Sequence, residues 1–294
     1  MVKLLQPGWH ERRERAGDIS LNLVEAGPKT GPAVFLLHGF PEFWWAWRHQ
    51  IGPLAAAGFR VIAPDLRGYN KSDAPLDVSM YRRDRLAADI IALADALGID
   101  RFDLVGHDWG GGVAWHVVAA HGERIRRLLI MDMPHPEVMP GFAMRHPTQL
   151  LRSSYMAAFQ TPLLPEAVLS AGDFFLLRRA LADSARDAGV FPSDVLDCYA
   201  EAWREPRTIT PMLNYYRALM VPGAGPVGRI TLPTLILWGG RDQALDNRLA
   251  RESAAMCDNA TVEVFENATH WLHHEEPDAV AEVMLGFFTA DKPR

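Results

Sequence analysis

Residues Leu104–Trp115, LVGHDWGGGVAW, place four glycines around a single acidic residue, Asp108. The run before it is apolar and β-rich, and the run after it has helical spacing. A turn from strand to helix in so few residues needs close backbone approaches, which glycine permits because it has no Cβ. Gly106, Asp108 and Gly110 keep the spacing of the G-x-S-x-G elbow, with a carboxylate where that pattern has a hydroxyl. The helix beginning near Gly110 aims its positive end at the carboxylate and favours the ionised form. Aspartate is also a good helix N-cap, but a plain cap does not need four glycines around it. The position therefore reads as a nucleophile.

The rest of the chain supplies a matching frame. Segments 18–27, 33–40, 59–66, 102–108, 125–133, 234–240 and 260–268 read as strands. Several are near-continuous apolar runs, as expected where helices cover both faces of a parallel sheet. Segments 83–98 and 111–122 alternate with them, have helical apolar spacing and end in glycine. This alternation indicates an α/β fold with a parallel sheet. From Pro134 to Gly228 the rhythm breaks into helical, proline-interrupted text rich in Met, Phe, Leu and Tyr. It reads as a helical insertion over the sheet, with its own small core and some residues lining a pocket.

At 294 residues the chain is long enough to enclose a core and a dry pocket. Its formal net charge of −6 argues against nucleic acid or an anionic membrane as the main partner. The clusters ERRER (11–15) and RRDR (82–85) interleave basic with acidic residues and read as solvated faces. Two cysteines, Cys198 and Cys257, make no disulfide framework and suit a reducing compartment. No signal peptide or apolar membrane-spanning stretch is readable, so the expected location is the cytoplasm.

A second site segment, NATHWLHHEEP (267–277), follows the last expected strand. His270 leaves that strand late in the chain, in the nucleophile–acid–histidine order that accompanies the elbow. The spacing of His270, His273 and His274 fits no zinc signature, so no metal is expected. His273 and His274 read as surface residues or as lying behind the site. Two aspartates compete to orient His270: Asp242, just beyond strand 234–240, and Asp132, at the end of strand 125–133.

HGFPEFWWAWRHQI (38–51), FRVIAPDLRGYNKSDAP (59–75), VGHDWGG (105–111) and MPHPE (133–137) extend the pattern over nearly the whole chain. Together they resemble the α/β-hydrolase fold and, within it, the soluble epoxide hydrolases. The resemblance implies a mostly parallel eight-stranded sheet flanked by helices, with a helical lid inserted after the sixth strand. The core would then comprise 1–133 and 229–294, and the lid 134–228. SYMAAFQTPLLPE (154–166) looks like the first lid helix, with Tyr155 at the lid-tyrosine position. LNYYRALM (213–220) looks like the site of the second, on Tyr216, or on Tyr215 if the register moves by one. Asp242 is taken as the orienting acid with Asp132 as the open alternative, and the resemblance points to the Phe40 and Trp109 amides as an oxyanion hole. It also places Phe40, Pro41 and Trp109 against the substrate and implies a cis bond before Pro41. The aromatic run FWWAW (43–47) reads as packing, with Trp44 or Trp45 at the entrance.

The chemistry agrees with that resemblance. An epoxide carbon is a strained electrophile open to backside attack by a carboxylate, and two phenols can donate to the departing oxygen. The resulting ester on Asp108 has a carbonyl that water activated by His270 can attack, whereas a serine ether would be inert. The expected partners are a small apolar epoxide and water, with no cofactor, in a monomer or homodimer.

Dehalogenases of the same fold also use an Asp–His–acid set, and Trp109 would serve them as a halide donor. Against them stand the paired tyrosines. Haloacid enzymes carry a lid tryptophan where Tyr155 stands, and arginines where this chain has Trp109 and Gly112. Haloalkane enzymes read asparagine at the position of Phe40. A non-catalytic binding protein of this fold would be expected to lose Asp108 or His270, and both are present.

Overall fold

The structure, a computed structural model, describes residues 3–290. One sheet holds β1 (His10–Ala16), β2 (Ile19–Ala26), β3 (Ala33–Leu37), β4 (Arg60–Pro64), β5 (Phe102–His107), β6 (Ile125–Met131), β7 (Thr234–Gly239) and β8 (Ala260–Phe265). Their spatial order is β1-β2-β4-β3-β5-β6-β7-β8. The pairs β1/β2 and β2/β4 are antiparallel, and every pair from β4 to β8 is parallel. β3, β5 and β7 are buried at every position, which explains their continuous apolar text.

The helices are α1 (Ile51–Ala56), α2 (Arg83–Ala96), α3 (Trp109–His121), α4 (Val138–Arg145), α5 (Pro147–Arg152) and α6 (Tyr155–Ala158). They continue with α7 (Leu164–Ser184), α8 (Ser193–Trp203), α9 (Ile209–Arg217), α10 (Arg248–Ala254), α11 (Leu272–Glu275) and α12 (Pro277–Thr289). α4 to α9 all fall between β6 and β7, where the sequence breaks its strand–helix rhythm. α7 is interrupted at Ala171–Phe174, where Ala171 is extended and Gly172, Asp173 and Phe174 are left-handed. Among the described residues no helix is long and apolar enough to cross a membrane.

Seven strands lie where the sequence suggests, with shorter ends. The eighth, β1, is a correction, because it occupies the ERRER segment that reads only as solvated charge. It is an antiparallel edge strand whose charged side chains reach the neighbouring elements: Arg12 meets Glu25 at 3.0 Å and Lys71 meets Glu11 at 2.9 Å. Charge on an exposed edge discourages pairing with another chain, so the apolar signal is absent there.

The topology also dictates where a ligand sits. The chain runs outward from β3 to β4, then crosses back to place β5 on the other side of β3. The crevice at the carboxyl ends of β3 and β5 is therefore a switch point, the place where ligands bind in open α/β sheets. The loop with Phe40 leaves β3, and Asp108 leaves β5.

Candidate active site

Asp108 takes φ 48° and ψ −123°, a strained conformation for a residue with a side chain. The surrounding contacts enforce it. A Cβ on Gly110 would overlap the carbonyl of Leu37, and one on Gly39 would lie 2.6 Å from Asp108 Oδ1. The glycines thus bring the β3 loop against the carboxylate, and the Phe40 N–H donates to Asp108 Oδ1 at 2.8 Å. The Phe40–Pro41 bond is cis, as the resemblance implies. The Trp109 amide opens α3, where first-turn N–H groups have no intrahelical partner. Phe40 and Trp109 therefore offer two amides beside one carboxylate.

His270 closes the far side. Its Nδ1 lies 2.8 Å from Asp242 Oδ2 and its Nε2 lies 3.6 Å from Asp108 Oδ2. Asp242 is itself held, because Oδ1 accepts the Ala244 and Leu245 amides at 2.6 and 2.9 Å. Burial opposes the imidazolium form of His270, but Asp242 and then Asp108 outweigh it and raise its pKa well above the ordinary value. For Asp108 burial is likewise overcome, chiefly by His270, so its carboxyl sits below the usual range. Of the two competing acids, Asp242 is the one hydrogen-bonded to the imidazole. Asp132 instead accepts the Gly239 amide at 2.8 Å. Its burial, and next the charge of Asp242, push its pKa well above the usual carboxylate range.

Asp108 and His270 open into a cavity of about 570 Å³, which Phe40, Pro41 and Trp109 also line. Tyr155, at the start of α6, and Tyr216, in α9, line it too, with ring centroids 5.8 Å apart. Burial, and then the Asp108 charge for Tyr155 and the Tyr155 hydroxyl for Tyr216, raise both phenol pKa values, so both stay protonated donors. Tyr215 points elsewhere and donates to the Arg67 carbonyl at 2.8 Å. Trp44 and Trp45 are buried away from the cavity, which corrects the expectation of an entrance residue in FWWAW. Arg83 is a second correction. Its cluster reads as a solvated face, yet Arg83 lies on the cavity wall.

Behind the site is a residue whose importance the sequence pattern does not announce. Glu42 is fully buried, and its Oε1 accepts from Tyr199 Oη and His274 Nε2, both at 2.8 Å. Its Oε2 faces His107 Nδ1 at 3.3 Å and His273 Nε2 at 3.5 Å. His107 Nε2 donates in turn to the backbone carbonyl of His270 at 2.9 Å. His273 and His274 are therefore buried supports of the His270 loop and not surface residues. One signal does exist: a lone acid inside the apolar run PEFWWAW is costly to bury unless partners await it. Two donor sets, Glu42–His273–His274 and His107–Asp132–His270, each gather within 4.8 Å; Glu42 Oε1, Asp132 Oδ1 and His270 Nδ1 are hydrogen-bonded as described.

Burial opposes ionisation of Glu42, but His274, followed by His107 and His273, holds its pKa well below the usual carboxylate value. A depressed carboxylate pKa contributes stability that is present above the ordinary value and lost as pH falls through the native one. Glu42→Ala is expected to lose about 3 kcal/mol at neutral pH, because it leaves buried partners unsatisfied. Urea unfolding across an acidic pH series checks this: the loss should shrink as pH falls toward the native pKa of Glu42.

A family model described as alpha/beta hydrolase fold matches residues 32–277. The chain is 43% identical over 270 residues to the AB hydrolase superfamily protein YfhM of Bacillus subtilis (strain 168), covering 92% of this chain and 94% of that protein. It is 34% identical to epoxide hydrolase 4 of Mus musculus, over 96% of this chain and 80% of that one. Among solved structures, the Bacillus megaterium epoxide hydrolase in complex with an inhibitor superposes with a TM-score of 0.87 at 28% identity. That match covers 95% of this chain and 100% of the other.

Proposed function

The chain belongs to the α/β-hydrolase fold family, as one of its epoxide hydrolases, and from that premise we propose that it opens epoxides to vicinal diols through an ester on Asp108. The observation that carries this is convergence: a carboxylate and two protonated phenols share one largely apolar cavity. We take residues 134–228 as the lid that brings the phenols to the core.

Asp108 Oδ1 is held by the Phe40 amide, which leaves Oδ2 to attack an epoxide carbon from behind. As that carbon–oxygen bond breaks, Tyr155 and Tyr216 donate to the departing oxygen, and one phenol proton completes the hydroxyl. The product of this step is an ester that has consumed the Asp108 charge. His270 thereby loses one of the two carboxylates that raise its pKa, while Asp242 still orients it through Nδ1. As its pKa falls, the imidazolium gives its proton through solvent to the phenolate left by the first step, and the free imidazole can then take a proton from water, which attacks Cγ of the ester. The oxyanion develops on Oδ1, between the Phe40 and Trp109 amides. On collapse the departing diol oxygen takes the remaining proton of the attacking water, and Asp108 returns as a carboxylate beside a protonated His270, as at the start. Step one thus switches on the base required for step two.

The test is incubation with aryl and alkyl epoxides, haloalkanes and haloacetates, following diol by chromatography and halide by ion analysis. Diol without halide is the expected result; halide without diol would show a dehalogenase instead. Tyr155→Phe and Tyr216→Phe should each lower kcat for epoxides by about 10²-fold, and the double variant by more. Equal rates in wild type and double variant would make the tyrosines mere walls.

A further inference from the structure

The wall of the cavity carries a cation that the proposed chemistry does not use. Along α3, Trp109, Gly112 and His116 all line it, at positions i, i+3 and i+7, so the cavity follows one helix face away from Asp108. Seven residues of helix separate Trp109 from His116, about 10 Å at 1.5 Å per residue. Between these ends the facing wall is apolar, with Met133, Pro136, Met139 and Ala143. At the far end stands Arg83, the first residue of α2, which packs against α3. Its charge is felt by His116, whose pKa is lowered by burial first and also by Arg83.

Arg83 is half-buried, and among the described residues nothing hydrogen-bonds or ion-pairs with its guanidinium. Its sequence neighbour Asp84 is taken by Arg82, at 2.6 and 3.1 Å. Burial accordingly lowers the pKa of Arg83, with Asp84 offsetting only part of that cost. His116 cannot supply an anion, since its Nδ1 donates to the Gly112 carbonyl at 2.9 Å and the ring is neutral. The other charged groups on the cavity wall, Asp108 and His270, are occupied with each other. A partly desolvated guanidinium without a carboxylate partner, at the end of an apolar channel, is a receptor for a planar anion.

We infer that Arg83 is a specificity residue, which anchors a carboxylate on the substrate about two helical turns from the epoxide. This rests on the epoxide-opening role of Asp108 and deepens it. The preferred substrate is a terminal epoxide on an unbranched saturated chain that ends in a carboxylate. An extended chain covers about 1.2 Å per bond, so about eight bonds bridge the two groups. Because the anchor is remote from the reacting bonds and holds ground and transition states alike, it acts on KM more than on kcat.

The test compares such epoxy acids, in a length series, with their methyl esters, in wild type, Arg83→Gln and Arg83→Lys. Wild type should prefer the acid, with an optimum chain length. Arg83→Gln should lower the acid-over-ester ratio of kcat/KM by roughly ten- to a hundredfold, mainly through KM. Arg83→Lys should keep part of the preference, which separates lost charge from a disturbed fold. An acid-over-ester ratio that is the same in all three proteins overturns the assignment of Arg83 while leaving the epoxide chemistry standing. Diol from neither acid nor ester in wild type overturns the epoxide reading itself, and the inference with it.

Discussion

Asp108→Asn should abolish diol formation, with kcat falling by at least about 10⁴-fold while the fold persists. The amide is nearly isosteric and can still accept the Phe40 N–H, which meets Oδ1 at 2.8 Å in the native protein. Asparagine also tolerates the positive φ of 48° better than most residues, so the elbow should survive. What disappears is the anionic nucleophile, and with it the ester. The charge that holds the His270 pKa up alongside Asp242 is lost too, so that pKa should drop in the variant. Diol analysis beside thermal unfolding separates the outcomes. A variant that folds normally and keeps activity within tenfold of wild type would require a different nucleophile.

His270→Gln should show the opposite half of the cycle. Loss of His270 raises the Asp108 pKa, since His270 is the chief group that offsets burial. The Phe40 amide still donates to Oδ1 and the cavity with both phenols is intact, so attack on the epoxide by the ionised fraction proceeds. Without a base to activate water, the ester persists. Rapid mixing should give a burst of at most one equivalent per enzyme, followed by a steady state slower than wild type by about 10³-fold. Mass spectrometry of the intact variant should then find added mass equal to one substrate, carried on the peptide that contains Asp108. No burst and no adduct, with slow linear turnover, would argue for direct attack of water on the epoxide.

Both variants remove residues that the sequence itself makes legible, and the reason is local. Asp108 announces itself because its turn demands glycine on both sides at short range, and His270 because it follows the last strand. Strands such as β3, β5 and β7 are equally legible, since burial on both faces forces a continuous apolar run. β1 is not, because a charged edge strand has no apolar face to betray it. Tyr215 and Tyr216 illustrate a different limit. Neighbours on a helix point about 100° apart, so sequence supplies the period but not the phase. Only packing turns Tyr216 to the cavity and sends Tyr215 to the Arg67 carbonyl.

Asp132 and Asp242 show the limit most clearly, because both leave the ends of adjacent strands and either is chemically suitable. The difference lies in where each carboxylate points: Asp242 at His270, and Asp132 at the Gly239 amide. Glu42, His273 and His274 are hidden for a related reason, since their meeting joins segments more than two hundred residues apart. Arg83 likewise shows nothing in a charged cluster until α2 is packed against α3. By itself, then, the sequence determined the elbow, the parallel sheet and the inserted helices, all of which are written in spacing over a few residues. The tertiary structure alone decided which acid meets the imidazole, which tyrosine faces the carboxylate and which arginine is left without a partner. Those choices depend on directions and distances between distant segments, and no local pattern encodes them.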